Sequence, residues 1–309
     1  MDRDLIEQLK QEIRAQCGGQ GFLPTRLDEV VLMRMDRHLP VAPTMYEPCI
    51  LIVAQGRKVG TIGGKSHVYD TDHCLVLTLP LPFESETFGS PDEPFLGLAI
   101  KIAPPVVTEL LVQMDHAPLP AGDHFGIPGV PVSTEVLSAA LRLVRGLAAP
   151  ERARVLGPAI IREVIYLMLR SPGGAALAGI ALGNSHRRRM GKIIERMHKD
   201  YAAAITVPDL ARESGMSAST FHARFKTVTG VAPLQYQKLI RLHKARDMMV
   251  NAGTSAQTAS LAVGYESTSQ FSREFRKVFG DSPGTVAKSL RARLIEIQQP
   301  KLAMTLSFA

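Results

Sequence analysis

Seven side chains near the C-terminus, Ser219, His222, Ala223, Thr268, Ser269, Ser272 and Arg273, fall in two short segments whose helical spacing sets them on polar, exposed faces. Groups of these types can approach base edges in a duplex groove, and Arg273 suits the paired acceptors of guanine. A second set, Arg187, Arg188, Arg189, Lys226, Lys244 and Arg276, carries the positive charge that phosphates attract. The chemistry these residues point to is recognition of double-stranded DNA. Bond making is not part of it.

The elements that must position them repeat. One segment reads LARESGMSASTFHARFKTVTGVAP from Leu210, and the other reads ASLAVGYESTSQFSREFRKVFGDSP from Ala259. Phe221, Phe225, Lys226, Gly230 and Pro233 map with an offset of 50 onto Phe271, Phe275, Arg276, Gly280 and Pro283. Each segment reads as a helix-turn-helix. Ala211 and Ser260 are the small residues at the helix crossing, and Gly215 and Gly264 supply turns that need positive φ. Ser217, and Ser267 or Thr268, are the expected N-caps. Phe221 with Phe225, and Phe271 with Phe275, are i, i+4 neighbours and should face the core. Between the units, Leu239, Leu242, Ala245 or Arg246 and Met249 follow helical spacing. They predict a spacer helix of about 16 residues and about 24 Å, on the scale of the roughly 34 Å that separates half-sites one DNA turn apart.

Residues 187–291 resemble the DNA-binding domain of the AraC/XylS transcription regulators. The resemblance is carried by Leu210-Ala211, Gly215, Phe225-Lys226, Gly230, Pro233, Tyr236, Arg241-Leu242, Ala245, Gly264-Tyr265, Ser269, Phe271-Ser272-Arg273, Phe275-Arg276, Gly280 and Pro283. It implies seven helices with two helix-turn-helix units. The chain departs from the family pattern at Ala223, where Arg is frequent, at Ala256 and Ala259, where larger aliphatics are common, and at Val286 in place of Tyr. Upstream, Tyr46-Glu47-Pro48, Gln55-Gly56-Arg57-Lys58, Tyr69-Asp70 and Leu79-Pro80-Leu81-Pro82 resemble the sensor domain of one AraC subgroup, which implies a cupin-like barrel.

Charge is segregated along the chain. Of a net +7, residues 1–184 contribute −4 (16 Lys/Arg against 20 Asp/Glu) and residues 185–309 contribute +11 (20 against 9). The excess coincides with the repeats, which favours nucleic acid over a membrane partner. Neither an apolar run long enough to span a bilayer nor a secretory leader is read from the sequence. Three cysteines, Cys17, Cys49 and Cys74, without C-x-x-C spacing suit a reducing cytoplasm and neither a disulfide framework nor a zinc ribbon.

The N-terminal half opens with an amphipathic helix over 2–17, with Leu5, Ile6, Leu9 and Ile13 on one face. From Val30 the runs VVLMRM, CILIVAQG, KVGTIGG, HVYD, HCLVLTLPL and FLGLAIKI predict strands of a small barrel or jelly roll. Gly63-Gly64 should close a hairpin, and Pro80, Pro82, Pro91 and Pro94 mark edges or loops. A helix is expected over 104–114, followed by a Pro/Gly-rich connector. Helices over 134–147 and 151–169 come next, the second with Val155, Leu156, Ile160, Val164, Leu167 and Met168 as its apolar face. This helical pair either dimerises or packs on its own barrel. Residues 173–185 read as a linker.

Candidate effector-pocket residues are Arg34, Arg37, Arg57, Lys58, His67, Cys49 and Cys74, with the cations able to counter an anionic ligand. His67, His73, His116 and His124 lack the close His pair of enzymatic cupins, so no metal and no cofactor are expected. Cys49 and Cys74 lie in apolar runs, where thiols are usually inert. Gly63-Gly64-Lys65 lacks the rest of a phosphate loop.

The expected fold class is α+β. A cupin-like β-barrel with flanking helices (1–130) leads into a helical pair (131–172), a linker (173–185), an all-α domain with two helix-turn-helix units (186–293) and a tail (294–309). The function implied is that of a non-enzymatic, sequence-specific transcription regulator, an activator, controlled by a small molecule. A cupin-type enzyme fused to a DNA reader is the alternative. The expected partners are double-stranded DNA, a small-molecule effector, RNA polymerase and a second copy of the chain, in the cytoplasm and with no membrane.

Overall fold

The computed structural model describes residues 2–62, 64–114, 129–182 and 185–297. They form two compact units, one built mostly from residues up to Arg188 and the other mostly from Arg189 onward.

The first unit starts with α1 (Arg3–Gln16), capped by Asp2, whose carboxylate accepts from the amides of Asp4 and Leu5. Such a cap stabilises by about 1 kcal/mol. Ile6, Leu9 and Ile13 are its buried stripe, as the spacing predicts, and Leu5 flanks it. Strands β1 (Gly21–Pro24), β2 (Val30–Met35), β3 (Leu39–Tyr46), β4 (Cys49–Gln55), β5 (Arg57–Ile62), β6 (Lys65–Tyr69), β7 (His73–Leu77), β8 (Leu81–Phe88) and β9 (Phe95–Lys101) follow. Next come α2 (Pro104–Gln113), β10 (Gly129–Pro131), α3 (Thr134–Leu147), α4 (Pro150–Leu169) and α5 (Gly174–Leu182). One sheet has the order β1-β2-β9-β4-β7-β10 and the other β3-β8-β5-β6.

The six-stranded sheet is buried on both faces. Val30, Leu32, Ile50, Ile52, Cys74, Val76, Leu96, Leu98 and Ile100 pack on the helices. The alternate residues Val31, Met33, Cys49, Leu51, Val53, Leu75, Phe95 and Ala99 are also buried and point the other way. Burial on both faces is why VVLMRM, CILIVA and FLGLAI read as continuous apolar runs with no alternation. Each fully buried aliphatic side chain adds roughly 1.5–3 kcal/mol. Gly56, at φ +78, turns β4 into β5, and a Cβ there would come 2.8 Å from the Phe88 carbonyl.

Several expectations needed correction. β1, β3, β8 and β10 were not anticipated, and all four contain proline. Pro82 lies inside β8, but the β8 ladder with β5 runs from Glu84 to Phe88, so no donor is needed at position 82 in that ladder. The end of the connector forms β10, paired with His73–Leu75 of β7. In α4 the buried face is Ala153, Gly157, Ile160, Ile161, Val164, Ile165, Met168 and Leu169, whereas Val155 and Leu156 are 62% and 50% exposed. The expected linker contains α5, whose Leu177 and Ala178 join the core of the first unit.

The second unit is helical: α6 (Ser185–Lys199), α7 (Val207–Ser214), α8 (Ala218–Thr229), α9 (Pro233–Asn251), α10 (Ala256–Ala262), α11 (Thr268–Phe279) and α12 (Pro283–Ile297). These are the seven helices that the family resemblance implies. The spacer helix α9 is longer than expected, 19 residues, or about 28 Å. Phe221, Phe225, Phe271 and Phe275 are all fully buried.

Candidate functional site

Each helix-turn-helix is built from the same local physics. In the first, Gly215 (φ +66) ends α7, and the amides of Gly215 and Met216 turn back to the carbonyls of Arg212 and Ala211. Ser217 then caps α8 by accepting from the Thr220 amide at 3.2 Å. In the second, the amides of Gly264 and Tyr265 reach back to Leu261 and Ser260, and Ser267 accepts from Gln270 at 3.3 Å. Ala211 and Ser260 are buried at the crossings. Ser267 is thus the second cap, and Thr268 is the first residue of its helix.

Opposite the buried phenylalanines, each second helix presents an i, i+3, i+4, i+7 stripe. On α8 it is Ser219, His222, Ala223 and Lys226, all exposed. On α11 it is Ser269, Ser272, Arg273 and Arg276, with Ser272 half-buried and the others exposed. The two stripes keep the offset of 50, so the candidate base-contacting and phosphate-contacting residues are brought together twice. Arg273 has no hydrogen bond or ion pair among the described residues and is available to an external partner.

Three candidates take a different position. Thr268 is half-buried and its hydroxyl lies 3.3 Å from that of Ser260, which ties the two helices of the second unit together. Arg189 donates to the Ser214 carbonyl at 3.1 Å, where it also meets the negative end of α7. Lys244 is half-buried in α9. The side chains of Arg187 and Arg188 lie outside the described residues. Arg224 and Lys277 are exposed cations that the sequence reading passed over. Arg241 was noticed only as part of the family pattern. It donates to the carbonyls of Tyr201, Ala202, Ala203 and Gly264, which fixes the turn of the second unit against α9.

The effector-pocket candidates are not gathered in one place. Arg34 is paired with Asp36 through two hydrogen bonds of 2.8 and 3.1 Å. Arg37 is exposed, and Arg57 lies over the outer Phe88 ring at 4.3 Å. Cys74 belongs to the face of the six-stranded sheet that packs on the helices. Lys58 and Cys49 do come together between the sheets. Lys58 is 4% exposed, its ammonium 5.7 Å from the Phe22 ring and 6.0 Å from the Phe95 ring. Its cross-strand partners are Tyr69 on β6 and Thr87 on β8, and the next row of the same face is His67, Gly60 and Ser85. His67 is half-buried, and burial, with Lys65 nearby, lowers its pKa.

Burial pushes all three thiols up to about 12, so each is held as the neutral thiol. His67 and His73 lie on separate strands, joined by a turn in which Asp70 accepts from the amides of Asp72 and His73. His116 and His124 lie outside the described residues. Among the described residues no three His, Cys, Asp or Glu side chains are placed to hold a metal, and no helix is long and apolar enough to cross a membrane.

A family model for the N-terminus of AraC-type transcriptional regulators matches residues 26–176, and one for a helix-turn-helix domain matches residues 210–289. ExsA of Pseudomonas aeruginosa is 28% identical over 161 residues, which are 51% of this chain and 57% of that protein. VirF of Yersinia enterocolitica, a virulence regulon transcriptional activator, is 30% identical over 139 residues, 44% of this chain and 48% of its own length. The chain therefore spans about half the length of the curated relatives it matches. Among solved structures, an apo form of ToxT from Vibrio cholerae superimposes with a TM-score of 0.55 at 11% identity, over 85% of this chain and 98% of that one. ToxT with an unsaturated fatty acid bound gives 0.55 at 12% identity, over 84% and 94%. At such identity the likeness concerns the fold. With both family models placed on the two units that carry the sensor-like sheets and the repeated helix-turn-helix, the chain belongs to the AraC family of transcription regulators.

Proposed function

We propose that this protein is a sequence-specific DNA-binding transcription activator whose activity a small molecule controls from the N-terminal sheets. The single observation that carries the DNA reading is the pair of matched stripes, Ser219/His222/Ala223/Lys226 and Ser269/Ser272/Arg273/Arg276, each on a capped helix and opposite a buried phenylalanine pair. The segregated basic charge supports it, since phosphate neutralisation supplies the sequence-independent part of such affinity. Selection of a binding site from a random duplex pool with the full chain tests it. Recovery of a defined motif is expected, with affinity falling steeply as salt rises. A pool that stays random through the selection would sink specific recognition.

The control by a small molecule rests on the buried polar row of the four-stranded sheet. Effector binding would bias an existing equilibrium between DNA-competent and DNA-incompetent states. A solved relative by fold, ToxT, holds an unsaturated fatty acid, and VirF is an activator. Both facts favour the reading. Homodimerisation, contact with RNA polymerase and a cytoplasmic location belong to the same proposal. The exposed Val155 and Leu156 on α4 are the apolar residues that favour α3 and α4 as the dimer face. Sedimentation of the full chain beside a Leu156→Glu variant tests that part. A wild-type dimer that the variant dissociates is the expected result, and a variant that still dimerises refutes this face. No enzymatic step is proposed.

A further inference from the structure

Glu274 carries interactions that its counterpart in the repeat does not. Its carboxylate accepts from the Lys238 ammonium of α9 at 2.9 Å, from the Tyr265 hydroxyl at 2.8 Å and from the Gln270 amide at 3.3 Å. One side chain therefore joins α11 to the turn before it and to the spacer helix. Burial acts to raise its pKa, but the hydrogen bonds from Lys238, Tyr265 and Gln270 outweigh it and the pKa is lowered, so the group is held as the anion. Fifty residues earlier stands Arg224, which is exposed and has no hydrogen bond or ion pair among the described residues. The two recognition helices are thus held differently. Behind α8 lie Phe221, Phe225 and Tyr236. α11 has the equivalent apolar base in Phe271 and Phe275 and, in addition, a charged tie to α9. Three residues beyond Lys238 on α9, Arg241 grips the Gly264 carbonyl beside Tyr265.

Apolar packing has no direction and lets a helix roll on its base, whereas hydrogen bonds weaken steeply off axis. A side chain that must meet a ligand group has to be held within about 10–20°. Arg273 adjoins Glu274 in sequence, roughly 100° away around the helix, so a roll that breaks the tie also re-aims Arg273. Stability is not the main effect of the pair. Lys238 is 39% exposed and Glu274 20%, and ion pairs so placed contribute little.

Resting on the reading of the two stripes as DNA-contacting, we propose that Glu274 is a positioning residue for recognition: through Lys238 and Tyr265 it fixes the angle of α11 to α9, and with it the spacing between the two DNA half-sites that the chain accepts.

The experiment uses the full chain and the duplex recovered by selection, beside versions with one base pair inserted or deleted between the half-sites and a scrambled duplex. Affinities and melting temperatures are measured for wild type, Glu274→Ala, Glu274→Gln, Lys238→Met and the Lys238→Met/Glu274→Ala double variant. Wild type should prefer the selected spacing. Glu274→Ala should weaken binding there by about tenfold, because α11 must then be ordered on binding. Its loss on the shifted spacings should be smaller, so the preference narrows. Glu274→Gln keeps an acceptor for Lys238 and should retain most of the preference. The double variant should lose no more than Glu274→Ala alone, as expected of residues that act through one contact. Lys238→Met replaces a partly exposed side chain and carries the same test where Glu274→Ala does not fold. Equal loss on every spacing, an unchanged preference in Glu274→Ala and Lys238→Met, or a wild type indifferent to spacing would overturn the assignment while leaving specific recognition intact. A wild type that binds the scrambled duplex as tightly as the selected one would remove specific recognition itself, and this assignment with it.

Discussion

The two helix-turn-helix units share a plan and differ in what holds it. Their second helices correspond at an offset of 50, from Ser217 and Ser267 through Gly230 and Gly280. Their first helices correspond at 49, since Ala211 matches Ser260 and Gly215 matches Gly264. The second turn is longer by one residue, and it carries Tyr265. That side chain packs edge-on against Phe271 at 5.3 Å and donates to Glu274, which also accepts from Lys238. The first unit uses Tyr236 instead, set edge-on to Phe225 at 5.4 Å and 2.7 Å from the His198 imidazole. The position fifty residues after Tyr236 is Val286, packed at the edge of the second core. An aromatic with a polar handle therefore braces each phenylalanine pair, but it comes from the turn in one unit and from the following helix in the other. A repeat constrains the role that must be filled and leaves open which residue fills it.

The largest expected effect tests the turns. A Cβ on Gly264 would lie 2.3 Å from the Ala202 carbonyl at φ +84, a clash between backbone and new side chain. Gly264→Ala should cost roughly 2–4 kcal/mol by denaturant unfolding. Gly280, also at φ +84, has open space around its Cβ, so Gly280→Ala should cost only about 1 kcal/mol of left-handed strain. Equal losses would mean that packing around the turn contributes nothing.

Acid should act on the first brace. Burial, with the Lys244 charge as a lesser cause, lowers the His198 pKa from 6.5 to about 4. Between these values the unfolded chain binds a proton that the folded chain refuses, so stability falls as pH drops from 6.5 to 4 and levels off below. At about 1.4 kcal/mol per unit, the loss should approach roughly 3–4 kcal/mol. Urea melts of wild type and His198→Gln across this window measure it, and parallel curves would show that His198 is not the group that titrates.

The DNA stripes differ at Ala223 against Arg273. Arg273→Ala should weaken the selected site by roughly 1–3 kcal/mol relative to a scrambled duplex. Equal loss on both would make Arg273 a phosphate contact. Ala223→Arg should tighten binding to both duplexes by a smaller amount. The smallest effect sharpens the likeness between the units: Ser217→Ala and Ser267→Ala should each cost about 1 kcal/mol, and a twofold difference between them would show that the caps are not equivalent.

The second unit was legible because its residues recur. Gly215, Phe221 and Ser217 each have a counterpart that confirms the assignment, and local caps and i, i+4 pairs are short-range facts. The central strands were legible because both faces are buried. β8 was hidden by Pro82, and α5 by its glycines. In α4 the apolar residues Val155 and Leu156 adjoin the true buried stripe and turn it by part of a revolution when read without a partner surface. The polar row was illegible for a different reason. Lys58, Tyr69 and Thr87 meet only through strand registers, and a sequence does not state which residues of distant strands stand opposite one another. Arginines were the more conspicuous cations there, yet Arg34 is neutralised by Asp36 and Arg57 stacks outside.

The mismatch of stripes has a directional consequence. A protein with two identical heads in tandem would read a repeated word and could slip by one repeat without loss. Here one head offers His222 and Ala223 where the other offers Ser272 and Arg273. A single chain bound to DNA can then tell a site from its reverse, because rotating it end for end exchanges unlike letters. If the chain reads DNA as proposed, its site has an arrow. Inverting that site upstream of a promoter would present the N-terminal unit to the opposite side, with no change in affinity.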